Sequence, residues 1–208
     1  MKKEIYNCLL CGTPINEQVT WRWLLGNEYP KTICLECENE FEPVVESAED
    51  QSEPENLNLQ SLYQYNDKMK DYLHRYKFMH DVVLAKVFRN QIRKHLAKRS
   101  ETIVPIPIHP LKLKERTFAH IDELLQAADL PYQHYLEKVT TETQAEKSRE
   151  ERINTQQLFK LKPNMNVKSK ELILVDDIIT TGTTIRHAKQ VLFENGAKSV
   201  KAFTLIRG

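Results

Sequence analysis

Leu172-Ile173-Leu174-Val175-Asp176-Asp177-Ile178-Ile179-Thr180-Thr181-Gly182-Thr183-Thr184 is the stretch that decides the fold. Its four leading apolar residues read as a strand buried on both faces, the usual state in a parallel sheet. Two acids end that strand. In open α/β sheets ligands sit beyond the carboxyl ends of the strands, so Asp176 and Asp177 arrive where a ligand would be. Ionised carboxylates accept hydrogen bonds from vicinal hydroxyls, which suits a ribose. Thr180 to Thr184 then form a loop of small residues around one glycine, followed by a predicted helix from Ile185 to Asn195 with Gly196 as its cap. Such a loop offers backbone N–H groups, threonine hydroxyls and the positive helix end to an anion. Carboxylates for hydroxyls and amides for phosphate together describe a sugar phosphate. The alternative is an ordinary strand-turn-helix with a threonine N-cap.

These residues resemble the PRPP motif of type I phosphoribosyltransferases: four hydrophobics, two acids and a short threonine-glycine loop. The resemblance implies that Asp176 and Asp177 hold the ribose hydroxyls of phosphoribosyl diphosphate (PRPP), as catalytic residues. It implies that Thr180, Thr181, Gly182, Thr183 and Thr184 cradle the 5′-phosphate. Purine-salvage members carry an aspartate, used as a proton acceptor, where this chain has Thr180. A threonine hydroxyl is no base at neutral pH, so a hypoxanthine or guanine substrate handled in that way is disfavoured.

All four cysteines of the chain fall in two C-x-x-C pairs, Cys8/Cys11 and Cys34/Cys37, separated by 22 residues. Two such turns bring four thiolates to one point, as a structural zinc requires, and Gly12 helps the first turn close. Disulfides in a secreted protein are the competing reading, yet no apolar segment follows Lys2 and Lys3. A redox C-x-x-C is the other, and no thioredoxin-like strand and helix flank either pair. With four protein ligands no open position remains, so this metal would serve folding rather than catalysis.

The 208 residues suit one medium domain plus a small module: 1–42 as a zinc-binding module, 43–56 as an acidic linker and 57–208 as the α/β domain. From Glu38 to Glu55 there are eight acids and no Lys or Arg, the pattern of a solvated linker. From Asn66 to Arg99 ten Lys or Arg stand against three Asp, which is either a solvated helix face or a surface for phosphates. The formal charge of +1 gives no global bias towards nucleic acid. No apolar stretch approaches a membrane span, and free thiols suit a reducing compartment, so the expectation is a cytoplasmic protein.

Between linker and motif the pattern predicts a mostly helical segment from Leu57 to Tyr76, with Tyr63, Met69, Leu73 and Tyr76 in the core. A short strand or turn at Tyr76-Lys77-Phe78 follows, then a helix from Asp81 to Lys98 capped by Asp81. Thr102–Ile108 reads as a strand that Pro105, Pro107 and Pro110 confine to a sheet edge or strand end. A helix over Arg116–Ala128 and a strand over Tyr132–Lys138 come next, then a polar segment from Gln144 to Phe159. Strands at Glu171–Asp177 and Val200–Ile206 complete the sheet. Trp21, Trp23 and Tyr29 are read as the small core of the cysteine module.

Val104-Pro105-Ile106-Pro107-Ile108-His109-Pro110 followed by Lys112, Lys114, Glu115, Arg116 and Phe118 looks like the ComF family of predicted phosphoribosyltransferases. Tyr76-Lys77-Phe78 before an acid, Thr143-Gln144 through Arg152, and Asn154 to Phe159 look like it too. With the cysteine pairs the resemblance spans almost the whole chain. It implies a type I phosphoribosyltransferase-like parallel sheet flanked by helices, a small N-terminal zinc-ribbon-like module, and association with DNA uptake in natural competence. PRPP with Mg²⁺ is the implied ligand, and single-stranded DNA and competence-machinery proteins such as a DNA helicase are the implied partners. Lys77 is the candidate for the diphosphate turn, joined by Arg116, with Lys112, Lys114, Arg149 and Arg152 as further cations near substrate. Family members carry glycine where this chain has His80 and Thr117, and glycine at such turns permits positive φ. His109 reads as a structural strand-end residue. Two functions stand: transfer of phosphoribose to an acceptor, or a non-catalytic component of the transformation machinery that binds single-stranded DNA or protein.

Overall fold

The computed structural model of the protein describes residues 7–15, 21, 28–45, 57–139 and 158–208. Within them the chain runs α1 (Leu35–Asn39), β1 (Leu59–Gln64), α2 (Asp67–Phe78), a 3-10 turn (Val82–Lys86), α3 (Arg89–Leu96), β2 (Thr102–Pro105), α4 (Pro110–Arg116), α5 (His120–Ala127), β3 (Leu136–Lys138), β4 (Phe159–Leu161), β5 (Glu171–Ile179), α6 (Thr183–Glu194) and β6 (Ser199–Arg207).

The apolar run of the motif becomes the middle of the sheet because it has something to bury on each face. Leu172 and Leu174 pack with Val191 and Leu192 of α6, whereas Ile173 and Val175 pack on the opposite side with Met69, Tyr72, Ile92 and Ile121 of α2, α3 and α5. All four strand residues are buried, each worth about 1.5–3 kcal/mol of apolar burial. The sheet is parallel throughout, in the order β1-β6-β5-β2, with Val104 opposite Leu174 and Leu174 opposite Ala202. Helices cover both faces, and the fold is that of a type I phosphoribosyltransferase. β2 lies at one edge, where its last residue, Pro105, is tolerated. A second, two-stranded antiparallel sheet joins β3 to β4.

Several local expectations need correction. Leu57–Tyr76 is not one helix: Leu59–Gln64 is an edge strand paired with β6, and the helix begins only after Asn66, whose side chain accepts from the Met69 amide at 2.9 Å. Tyr76-Lys77-Phe78 is the last turn of α2, not a strand. The expected helix over 81–98 is a 3-10 turn followed by α3, and Asp81 does not cap it, because its carboxylate is turned to Arg75 at 2.9 Å. The helix expected over 116–128 is realised as α5 from His120, and ahead of it lies an unexpected helix, α4, which ends at Arg116 because Thr117 has a φ of 66° that no helix interior accommodates. The strand expected over 132–138 is reduced to β3, outside the main sheet. Trp21 is 80% exposed rather than part of a core, and Trp23 lies outside the described residues, as do 140–157 with Arg149 and Arg152. Tyr29 lies under the Arg89 and Arg93 guanidinium groups, 4.7 and 5.7 Å from its ring centre.

The cysteine segment packs into the larger core through Cys8, Ile33, Cys37 and Phe41, of which Phe41 is the aromatic member. Phe41, 3% exposed, meets the rings of Phe88, Tyr63 and Tyr72 at 4.9, 6.0 and 6.3 Å. Glu42 and Val44 then pair in antiparallel fashion with Gln64 and Leu62 of β1. No helix among the described residues is long and apolar enough to cross a membrane. Truncating Phe41 removes a ring shared by both parts. Phe41→Ala is expected to lower unfolding stability by about 3–5 kcal/mol in urea titration, and a loss under about 1 kcal/mol would show that the segment docks without it.

Candidate functional site

The site is built where β5 runs out beyond its edge neighbour. β2 ends at Pro105, and its next residue gives the last bond to β5, Ile106 N–H to the Val175 carbonyl at 2.9 Å. Asp176 and Asp177 follow immediately, and their carboxylates turn back on the freed backbone. Asp176 Oδ1 accepts from the Asp177 amide at 2.9 Å, and Asp177 Oδ1 from the Ile178 amide at 3.0 Å. Successive residues of a strand point to opposite faces, so the two acids enter different surroundings.

Asp177 is driven inward and is 3% exposed. Its carboxylate is ion-paired with the Lys77 ammonium from the last turn of α2, and His120 Nε2, at the start of α5, lies 3.8 Å from its other oxygen. The His120 ring is held in turn. Its carbonyl accepts from the Tyr76 hydroxyl at 2.6 Å, and Arg116 donates towards Nδ1 at 3.3 Å while stacking 5.4 Å over the Phe78 ring. Burial alone would raise the Asp177 pKa, but Lys77 and His120 outweigh it and hold the carboxyl well below the usual range. Asp176, half-buried, goes the other way: burial and the neighbouring Asp177 charge push it well above an ordinary aspartate. The pair therefore holds one firm negative charge and one readily shared proton.

The threonine loop follows at the same end of β5. Thr180, Thr181 and Thr183 are exposed, and Gly182 is buried with φ 71°. The turn's positive φ favours glycine, and a Cβ on Gly182 would meet Leu57 Cδ1 at 2.8 Å, so that side chain would have to shift. Thr181 and Thr183 hydroxyls lie 3.0 Å apart, and the Arg186 guanidinium donates to the Thr181 carbonyl, drawing the loop onto the start of α6. The positive end of a twelve-residue helix thus opens beside Asp176 and Asp177.

The structure places Lys77 on Asp177 and Arg116 on His120. His80 and Thr117 have φ of 56° and 66°, the left-handed conformation that glycine would adopt without strain. His109 is structural: its Nδ1 accepts from the Leu111 amide at 3.2 Å and caps α4. His120 was silent in the sequence. It sits inside a span read as one helix, and nothing local marks it. Beyond it a cavity of about 500 Å³ is lined by Ile106, Ile108, His120, His134, Lys138 and Lys162. Burial first, and then the Lys112 charge, lower the Lys138 pKa. A larger cavity of about 680 Å³ lies at the opposite end of the sheet, between Thr102 and Tyr132, away from the acid pair.

The sulfur atoms of Cys8, Cys11, Cys34 and Cys37 all lie within 4.8 Å of one another, with Cys11 and Cys34 at 3.6 Å. Four sulfurs around a tetrahedral zinc stand about 3.8 Å apart, given a Zn–S bond of about 2.3 Å, so the cluster could hold a metal of that kind. The first C-x-x-C is a tight knuckle, with Gly12 N–H on the Cys8 carbonyl at 2.9 Å and Cys8 N–H on Thr13 at 2.8 Å. The Thr13 hydroxyl brings the Cys11 thiol down to about 6, whereas burial pushes Cys37 up. Lys68 Nζ lies 3.7 Å from Cys37 Sγ, an ammonium suited to a thiolate.

Comparison with known proteins agrees with this architecture. The profile of the phosphoribosyl transferase domain matches residues 113–208. The chain is similar to competence protein ComFC of Streptococcus pneumoniae, at 34% identity over 96% of this chain and 99% of that protein. It is similar also to competence protein ComFC of Bacillus subtilis, at 29% identity over 96% of this chain and 94% of that protein. Among solved structures, glutamine phosphoribosylpyrophosphate amidotransferase from B. subtilis aligns over 60% of this chain and 26% of its own, at 20% identity and a TM-score of 0.41. With a four-cysteine cluster ahead of a phosphoribosyltransferase domain and identity to a curated relative over nearly its full length, the chain belongs to the ComFC family of competence proteins.

Proposed function

We propose that the protein binds PRPP with Mg²⁺ at the carboxyl end of β5 and works in DNA uptake during natural competence, as the names of its relatives suggest. The observation that carries this reading is the juxtaposition of Asp176, Asp177 and the Thr180–Thr184 loop at one strand end. Asp176 would accept from a ribose hydroxyl, and the loop and helix end would take the 5′-phosphate. The diphosphate, with its Mg²⁺, would lie towards the cavity rimmed by Lys138 and Lys162. Magnesium prefers substrate oxygens and water to an all-protein cage, so the chain need supply only one carboxylate. Loss of diphosphate would build positive charge on the ribose, and Asp176 beside it would stabilise that charge. The four cysteines would hold a structural zinc, within the division 1–42, 43–56 and 57–208, in a cytoplasmic protein.

A second reading, ligand binding without turnover, is favoured by the Lys77 contact. An ammonium already seated on Asp177 leaves that carboxylate less able to respond to charge developing on a substrate. Single-stranded DNA or a competence helicase would then be the partner that reads the bound state.

Calorimetric titration with Mg²⁺ and PRPP tests the site. Wild type is expected to bind, and Asp176→Asn to lose about 1.5–3 kcal/mol, roughly tenfold to a hundredfold in affinity. Absence of binding by wild type would sink the proposal. Asp176 keeps its proton above the usual aspartate range in the free site, and the ionised carboxylate, with both oxygens free to accept, is the form that ribose hydroxyls favour, so binding releases protons. Affinity should therefore rise with pH, and the dependence of the heat on buffer ionisation enthalpy should be smaller in Asp176→Asn than in wild type.

The Asp177 pair has its own signature in stability. Lys77→Met strands a buried carboxylate and should cost about 3–5 kcal/mol, much of it recovered in Lys77→Met/Asp177→Asn. The depressed Asp177 pKa makes wild-type stability complete above about pH 4 and progressively lost as the pH falls towards the folded-state value. In Asp177→Asn that slope should flatten. Equal acid sensitivity in both proteins would show that the pair does not govern it.

A further inference from the structure

One side chain touches both the cysteine cluster and the approach to the acid site. Arg75, on α2, donates to the Leu9 and Leu10 carbonyls at 3.0 and 2.9 Å, the two residues between Cys8 and Cys11. The same guanidinium holds Asp81 Oδ2 at 2.9 Å, across the Met79–Asp81 turn. The Arg75 carbonyl receives the Met79 and Asp81 amides at 3.2 and 3.3 Å. Two residues beyond Arg75 is Lys77, the ammonium that neutralises Asp177, and three beyond that is His80 with φ 56°.

We infer that Arg75 is a positioning residue through which the occupied four-cysteine cluster sets the Met79–Asp81 turn and, with it, Lys77 of the acid site. The planar guanidinium can serve two carbonyls and one carboxylate at once, which a lysine ammonium at this position cannot reproduce. The carbonyls it reads have a fixed direction only while Cys8 and Cys11 are drawn to a common point, which is what a bound metal does. Without that point the knuckle loosens and its carbonyls leave Arg75. The guanidinium then gives up its fixed hold on Asp81. A histidine in the left-handed region carries strain that the surrounding bonds must offset, so the turn is the weakest part of the route and the first to open. Lys77, on the final helical turn before it, loses its fixed place on Asp177. Metal at one end of the protein thereby tunes the charge at the other. The alternative, that the metal only stabilises the fold, makes Arg75 irrelevant to the effect of removing it.

The inference rests on the proposed PRPP site for its ligand readout only, and a second readout stands without it. Full-length zinc-loaded wild type, Arg75→Gln and Arg75→Lys are compared before and after zinc removal by chelation. In ligand-free protein, hydrogen exchange of the Asp81 and Val82 amides should quicken about tenfold in Arg75→Gln, with β5 amides unchanged and Arg75→Lys intermediate. Chelation of wild type should produce the same local quickening, and chelation of Arg75→Gln should add nothing. Mg²⁺–PRPP affinity should follow, falling about tenfold on chelation of wild type and less than about twofold on chelation of Arg75→Gln. Equal responses to chelation in the two proteins overturn the inference, as does a wild type indifferent to chelation. If chelation also exposes β5, the zinc-loaded comparison decides: unchanged exchange at 81–82 in Arg75→Gln overturns it. Should wild type bind no PRPP, the proposed function fails while the exchange result still settles the role of Arg75.

Discussion

Two adjacent carboxylates at the buried end of a central strand are the constraint on which the rest of this structure depends. Like charges about 4 Å apart repel by about 4 kcal/mol at an effective dielectric of 20, and burial adds a further penalty. The fold resolves this by asymmetry. Asp177 is given the Lys77 ammonium and the His120 ring and stays ionised, while Asp176 keeps a proton close at hand. Bringing those partners in dictates much else: α2 must end over the sheet, α5 must begin beside it, and Tyr76 must bond the His120 carbonyl. The family's acid pair is thus two residues with different work. One is anchored in the core, and the other faces whatever arrives at the strand end.

What the sequence made legible was whatever depends on periodicity or on a contiguous motif. Leu172 to Val175 read as a doubly buried strand and the threonine loop as the opening of a helix, and the structure has both. The two cysteine pairs, read as meeting at one point, do so. Leu59, Leu62 and Tyr63 were misread because they recur at helical spacing, while the strand they form is decided by β6, far along the chain. Lys77 has its partner at position 177, and no local pattern encodes that pairing. Arg75 and His120 were silent for the same reason. Each acts through contacts to carbonyls or to residues distant in sequence, and neither signal is visible in composition.

His80 and Thr117 carry the argument further. At both positions the family resemblance called for glycine, and at both the backbone keeps the glycine conformation although the side chain has changed. A left-handed residue other than glycine costs on the order of 1–2 kcal/mol, so something beyond the turn itself must impose the geometry. At Thr117 the amide bonds the Leu113 carbonyl at 2.8 Å, and the hydroxyl bonds the Arg116 carbonyl at 2.6 Å. At His80 the flanking amides close on Arg75, whose guanidinium ties Asp81 to the cysteine knuckle. Each turn adjoins a residue that serves Asp177: Lys77 precedes the first, and His120 follows the second. Part of the left-handed strain, which Asn58, Asp129, Asn164 and Ser169 carry elsewhere, thus sits on the two arms that neutralise the buried carboxylate, and the ion pair they complete helps to hold both arms in place. Relaxing either turn would therefore act first on the side chains that neutralise Asp177, at the carboxyl end of β5, and only through them on the sheet.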